Sequence, residues 1–203
     1  VVRGRISGSS QVDMKSATPL AVGAAVGGIA GKSMFQAVES MFADKNTAGA
    51  VQAACLAVIT LGTLIYTVKK EKIKTHRIQN AAVCVVIGFI LGVMSSFLGI
   101  GGGPINLVVL YFFFSMTTKT AAQNSLYIIL FSQATSFLST VVTGSVPHVS
   151  LLLLAGMIIA GLLGGMAGRS INKKIDDRTV DKLFIGLMAV IILINIYNIY
   201  YYI

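Results

Sequence analysis

Two apolar pieces, Asn80 to Leu98 and Ile105 to Met116, are separated by the run Gly99-Ile100-Gly101-Gly102-Gly103-Pro104, and that interruption constrains the fold more than any other feature of the chain. Five of those six residues are glycine or proline. Glycine costs a helix about 1 kcal/mol and proline about 3 relative to alanine, so the helix breaks here and releases backbone N–H and C=O groups. In hydrocarbon such groups are tolerated only where protein or a water-filled cavity covers them. In transporters, broken helices of this kind build the substrate or ion site. The setting is hydrocarbon, because runs near the ~20 residues that cross a bilayer also extend from Ala17 to Phe35, Ala48 to Val68, Ala121 to Val142, Val149 to Gly168 and Val180 to Ile203. Ile105 to Met116 is short for a crossing and reads as a steep short helix or a re-entrant half.

Composition excludes a water-soluble fold. The 203 residues are 55% hydrophobic and 11% charged, against about 25% charged in soluble proteins, with a mean hydropathy of +0.83. The expectation is an all-α, polytopic protein of the cell membrane. The net charge of +9 comes largely from clusters beside the spans: Lys69, Lys70, Lys72, Lys74 and Arg77, then Arg169, Lys173, Lys174, Arg178 and Lys182. That placement is the positive-inside signature, with contact to anionic headgroups as its plain consequence, and no nucleic-acid partner is expected. Cys55 and Cys84 lie inside apolar runs without metal-ligand spacing, so neither a disulfide framework nor a metal site is indicated. The chain opens on Val1 with no secretory leader pattern, and its start reads as cut.

An internal repeat sharpens that reading. Gly27-Gly28-Ile29-Ala30-Gly31-Lys32-Ser33 recurs as Gly164-Gly165-Met166-Ala167-Gly168-Arg169-Ser170 at an offset of 137, and Leu56-Ala57-Val58-Ile59 resembles Met188-Ala189-Val190-Ile191 at an offset of 132. Residues 1–75 are therefore expected to be the C-terminal part of a first transmembrane repeat and residues 76–203 a complete second one. The glycine break of the first repeat would then fall upstream of Val1. Both basic loops lie on the cytoplasmic side if an even number of crossings separates them. That holds if the short piece crosses, and it makes the repeats inverted; if it does not cross, they are parallel. Inversion is the favoured expectation.

The remaining motifs narrow the chemistry. Gly31-Lys32-Ser33 is no phosphate loop, since Val26 stands where a glycine is needed and a membrane helix, not a strand, precedes it. Lys32 and Arg169 are expected to snorkel to the headgroups. The glycine run, followed by Pro104 at a position suited to a first helical turn, places N–H groups and a helix N-terminus where a negative charge is stabilised. Its plainer reading is a reversal between tightly packed helices, although four glycines exceed what one turn needs. Small residues spaced by four, namely Gly23, Gly27 and Gly31, Gly88 and Gly92, and Ala160, Gly164 and Gly168, suit close helix approach. On the span from Ala121, Ser125, Ser132, Ser136, Ser139 and Thr143 share one stripe, fit to line a polar path or to bond between helices. No Asp, Glu or His sits deep in a span, so neither a buried proton relay nor an enzyme's constellation is visible, and no cofactor is called for.

The residues GFILGVMSSFLGIGGGPINLVVLYF from Gly88 to Phe112, TAAQNSLYIIL from Thr120 to Leu130 and the two GG-x-AG-[KR]-S copies resemble the sulfite exporter TauE/SafE family. The resemblance implies a permease with duplicated halves that moves sulfite or a related sulfur-containing or organic anion by secondary transport. It places Gly99, Gly101, Gly102, Gly103 and Pro104 in the family's glycine-rich motif, and Ala122, Asn124 and Ser125 at the polar start of the next helix. The expected substrate-binding set is Gly99, Gly101, Gly102, Gly103, Pro104, Asn106, Asn124, Ser125, Ser132 and Ser136. Expected partners are a small anion and the lipid bilayer, while a coupling ion (proton or sodium) and a homo-oligomer are left open. The alternative is a non-transporting scaffold or assembly subunit whose glycines serve packing alone.

Overall fold

The computed structural model describes residues 14–42, 45–99, 102–144, 150–172 and 174–202. These form α1 (Met14–Met41), α2 (Lys45–Lys69), α3 (Ala81–Leu98), α4 (Gly103–Phe114), α5 (Thr118–Val142), α6 (Leu151–Asn172) and α7 (Asp177–Tyr202), with a short 3-10 turn at Lys70–Lys72. Among the described residues there is no strand. Among the described residues five helices are long and apolar enough to cross a membrane: Asn46–Lys69, Ala81–Leu98, Thr118–Val142, Leu151–Ile171 and Asp177–Tyr201. The chain is thus a multi-pass membrane protein. Helix α1, 28 residues long, has the length but not the apolarity, because glycine, alanine and polar residues fill much of it.

Glycine sets the closest packing. A Cβ placed on Gly23, Gly27 or Gly31 would meet the main chain of Val85, Phe89 or Val93, and one placed on Gly88 or Gly92 would meet the main chain of Leu20 or Ala24. The two sets advance together, so α1 and α3 run parallel with backbones in contact, as small residues permit in lipid. On its other side α1 meets α5, where Gly28 faces Ser132 and Ser136. Leu20, Ala24, Leu91, Leu98, Leu110 and Ile128 belong to the buried apolar cluster.

Hydrogen bonds fix the direction of the other helices. Helix α2 runs antiparallel to α7, since Thr63 Oγ1 lies 3.4 Å from Met188 Sδ and Lys70 Nζ 2.5 Å from Asp181 Oδ1. Helix α4 returns to where α3 began: His76 N donates to Phe112 O at 2.8 Å and Ile78 N to Phe113 O at 3.0 Å. Ser115, in the left-handed region at φ 52°, ends α4 and donates to Thr75 Oγ1 at 2.7 Å. Helix α5 starts at that same end, with Thr118 Oγ1 donating to Asp181 Oδ1 at 2.6 Å. The basic segments around Lys70 and Lys182 therefore share one end of the bundle. The short piece is a returning helix that packs against α5 and α2.

Helix α6 stands apart. Its side chains are exposed from Leu151 to Ile171, and Cβ atoms added to Gly161, Gly164, Gly165 or Gly168 would meet nothing within 4 Å. The close approach expected of Ala160, Gly164 and Gly168 is not made to any described part of this chain.

Candidate functional site

The break is built from two left-handed glycines. Gly99 ends α3 at φ 72° and Gly102 caps α4 at φ 70°, a region other residues enter only with strain. Pro104 follows in the first turn of α4. Ile100 and Gly101 lie outside the described residues, so the Gly101 assignment has no structural counterpart here. Gly99 is exposed, Gly103 is half-buried with open space beside it, and Gly102 and Pro104 are buried.

Gly102 touches a polar group at each hand. A Cβ on it would lie 3.2 Å from Asn106 Oδ1 and 3.3 Å from Ser95 Oγ, so φ favours glycine here and an added side chain would crowd both polar groups. Asn106 N donates to Gly102 O at 2.8 Å, opening the helix. The Asn106 side chain is 1% exposed, yet neither its Nδ2 nor its Oδ1 has a hydrogen-bond partner among the described residues. An unmet buried polar atom costs about 1–3 kcal/mol, so an amide whose two ends are both open among the described residues has hydrogen-bonding capacity to offer a ligand. Ser95 Oγ accepts from Gln133 Nε2 at 3.4 Å, which ties α3 to α5 at the same level.

The rest of the expected set lies along α5. Ser136 Oγ is 3.0 Å from Ser96 Oγ. Ser132, 1% exposed, has an unpartnered Oγ beside Gly28. Asn124 is fully buried; its Nδ2 donates to Thr120 O at 2.8 Å, while its Oδ1 is unpartnered. Ser125 is buried one residue on. Asn124 and Ser132 are eight residues apart on one helix, about 12 Å at 1.5 Å per residue. The structure thus gathers Gly102, Asn106, Ser95 and Gln133 at the break, joins Ser136 to Ser96, and holds Asn124 and Ser125 as a separate buried pair nearer the basic end.

Three participants escaped the sequence reading. Ser95 and Ser96 were visible only as two hydroxyls inside an apolar run. Gln52 on α2 donates to Phe97 O at 2.8 Å, meeting one of the carbonyls left open where α3 stops. Lys32 donates to Thr140 Oγ1 at 2.8 Å, one turn beyond Ser136 and near the C-terminal end of α5. No group of three or more His, Cys, Asp or Glu that could hold a metal ion occurs among the described residues.

Comparison with known proteins agrees with this architecture. The sequence model of the family described as "Sulfite exporter TauE/SafE" matches residues 2–194. A relative from Bacillus subtilis (strain 168), named "Probable membrane transporter protein YunE", is 30% identical over 121 residues, which are 60% of this chain and 42% of the relative. The match spans less than half of that relative's length. No solved structure matches the chain. A family match over nearly the whole sequence, on a helical membrane protein broken at the glycine run, leaves one conclusion: the chain belongs to the sulfite exporter TauE/SafE family.

Proposed function

We propose that this chain supplies the anion-binding part of a membrane permease, with a small oxyanion, sulfite or a related sulfur-containing or organic anion, received at the break between α3 and α4. The observation that carries this reading is Asn106, a buried amide with neither polar atom partnered among the described residues, set beside the left-handed Gly102 at the N-terminus of α4. The helix dipole and the open N–H groups of that first turn favour negative charge, and the Asn106 Nδ2 adds a side-chain donor. Hydroxyls and amides along α5, at Gln133, Ser132 and Ser136, continue the polar surface. All of these groups are neutral, which suits an ion that must be released as well as bound.

The direction of the helices supports an inverted pairing of the two signature copies. Helix α1 leaves the basic end and α2 returns to it, whereas α7 leaves it after α6. Rocking of two such units around the break would give alternating access, with the basic end cytoplasmic by its Lys and Arg content.

Thermal unfolding of the purified chain with increasing sulfite or thiosulfate tests the site. A ligand that binds the native state raises stability by RT ln(1 + [L]/Kd), about 2.7 kcal/mol at one hundred times Kd. The stabilisation should disappear in Gly102→Leu. A melting temperature indifferent to every such anion in the unaltered chain would return the scaffold reading to first place.

A further inference from the structure

A second polar site lies at the basic end, enclosed by α2, α4, α5 and α7. Tyr66, Thr67, Lys70, Tyr111, Thr118 and Asp181 supply its polar lining. Lys70 and Asp181 form an ion pair at 2.5 Å with side chains only 12% and 23% exposed. Lys70 Nζ also donates to Thr118 Oγ1 at 2.8 Å and stands 5.0 Å from the centre of the Tyr111 ring. The Tyr66 hydroxyl is buried in the same place without a hydrogen-bond partner among the described residues. Tyr111 is five residues from Asn106 on α4, about 7.5 Å along the axis, so one short helix joins this pocket to the break.

We infer that this pocket is a second anion station at which binding is coupled to a proton, the anion taking the place of the Asp181 carboxylate on Lys70. The inference rests on the reading of the chain as an anion carrier. Removing a part-buried carboxylate from its cation and leaving both charged is unfavourable. Asp181, partly open to water, can instead take one proton and become neutral. Lys70 then offers its freed donor to an incoming oxyanion, with Thr118 and the unpartnered Tyr66 hydroxyl close by as further hydrogen-bond groups. The exchange balances: one proton goes to Asp181, one negative charge goes to Lys70, and the charge of the pocket is unchanged per monovalent charge bound. Release of the anion toward the basic end returns the carboxylate to Lys70 and the proton to water, so anion and proton travel together.

The other charged or titratable groups of the neighbourhood are occupied or turned outward. Lys119 Nζ donates to Ile175 O, and Asp177 Oδ1 accepts from Lys119 N at 3.3 Å. Lys69, Lys72, Arg178 and Lys182 are exposed, and the His76 ring lies against Phe112 at 5.1 Å. His76 is the nearby imidazole, and it therefore serves as the control.

The experiment is calorimetric titration of the purified chain with inorganic sulfate, whose charge is constant between pH 5 and 8, in two buffers of different ionisation enthalpy. Uptake of about one proton per sulfate is expected, with affinity falling toward tenfold per pH unit, the slope that linkage to one proton sets. In Asp181→Asn, which keeps the oxygen that Thr118 bonds, sulfate should bind with no proton uptake and no pH slope. The doubly neutral K70Q/D181N variant should lose this component, and His76→Gln should keep it. An undiminished slope in Asp181→Asn, or a slope abolished by His76→Gln, would overturn the inference. Asn106→Leu separates it from the reading of the break: loss of binding there with the proton-linked component intact leaves both sites standing, and no change in Asn106→Leu removes the first without touching the second.

Discussion

Gly27 faces the carbonyl oxygen of Phe89 so closely that a Cβ on it would fall inside 3.0 Å. The obstacle is main chain, which no rotamer change can clear, so alanine at position 27 must push α1 away from α3. Overpacking of this kind costs about 1–3 kcal/mol. Gly164 is the counterpart in the second signature copy and has open space around it. Gly27→Ala should lower the thermal midpoint of the purified chain, whereas Gly164→Ala should leave it unchanged or raise it slightly, as helix propensity favours alanine by up to about 1 kcal/mol. Equal loss in both would mean that α6 is covered in solution.

The entry of the chain into α3 offers a smaller and separate test. Asn80 Oδ1 accepts from Ala82 N at 2.9 Å, meeting one of the donors that a helix start leaves open. Asn80→Ala should cost about 1 kcal/mol of stability, and Asn80→Asp should restore most of it. Chemical unfolding of the three proteins in one detergent would read the difference.

What the sequence revealed and what it concealed divide along the range of the interaction. The break at Gly99 to Pro104 and the small-residue faces of α1 and α3 were legible because they depend on local backbone cost and on spacing by four. The return of α4 to the start of α3 was not, since it rests on bonds from His76 and Ile78 to Phe112 and Phe113 that no periodicity encodes. Lys70 and Asp181 lie 111 residues apart; read separately, each looks like a charge beside a span, and only their juxtaposition makes a buried pair. Ser95 reads as a tolerated hydroxyl until Gly102 and Gln133 are seen around it. The glycines of α6 carry the opposite lesson, because a motif that packs against main chain in one copy meets open space in the other.

Asp176 gives a pH dependence with a definite sign. Its Oδ1 accepts from Thr179 N at 3.1 Å, and bonds from Thr179 hold its carboxyl below the ordinary value of 3.8. A depressed native value means that the ionised form stabilises the fold. The contribution is complete above the ordinary carboxylate value and is lost as pH falls through the lower native one. Asp176→Asn keeps a capping oxygen without the titration. Acid unfolding of the variant should show a shallower loss of stability below about pH 4 than the parent, on the ordinary carboxylate scale, and an identical profile would assign the acid sensitivity to other carboxylates.

Asn106 sets stability against binding. Both polar atoms of its buried amide are without a partner among the described residues, so the fold bears their desolvation without return until a ligand arrives. Leucine is close in volume and carries no such debt. Asn106→Leu should therefore unfold at a higher temperature than the parent, by an amount that reflects about 1–3 kcal/mol, and should lose the further rise that sulfite or thiosulfate gives the parent. Asn106→Asp should bind such anions more weakly still, because a carboxylate would stand where negative charge is to be received. Measured as midpoint against anion concentration, the three proteins should separate into a sloping line for the parent, a flat line above its ligand-free value for the leucine variant, and a flat line below it for the aspartate. A leucine variant that is less stable than the parent would show that the amide is already satisfied inside the protein, and the ligand would then have to be sought elsewhere along α5.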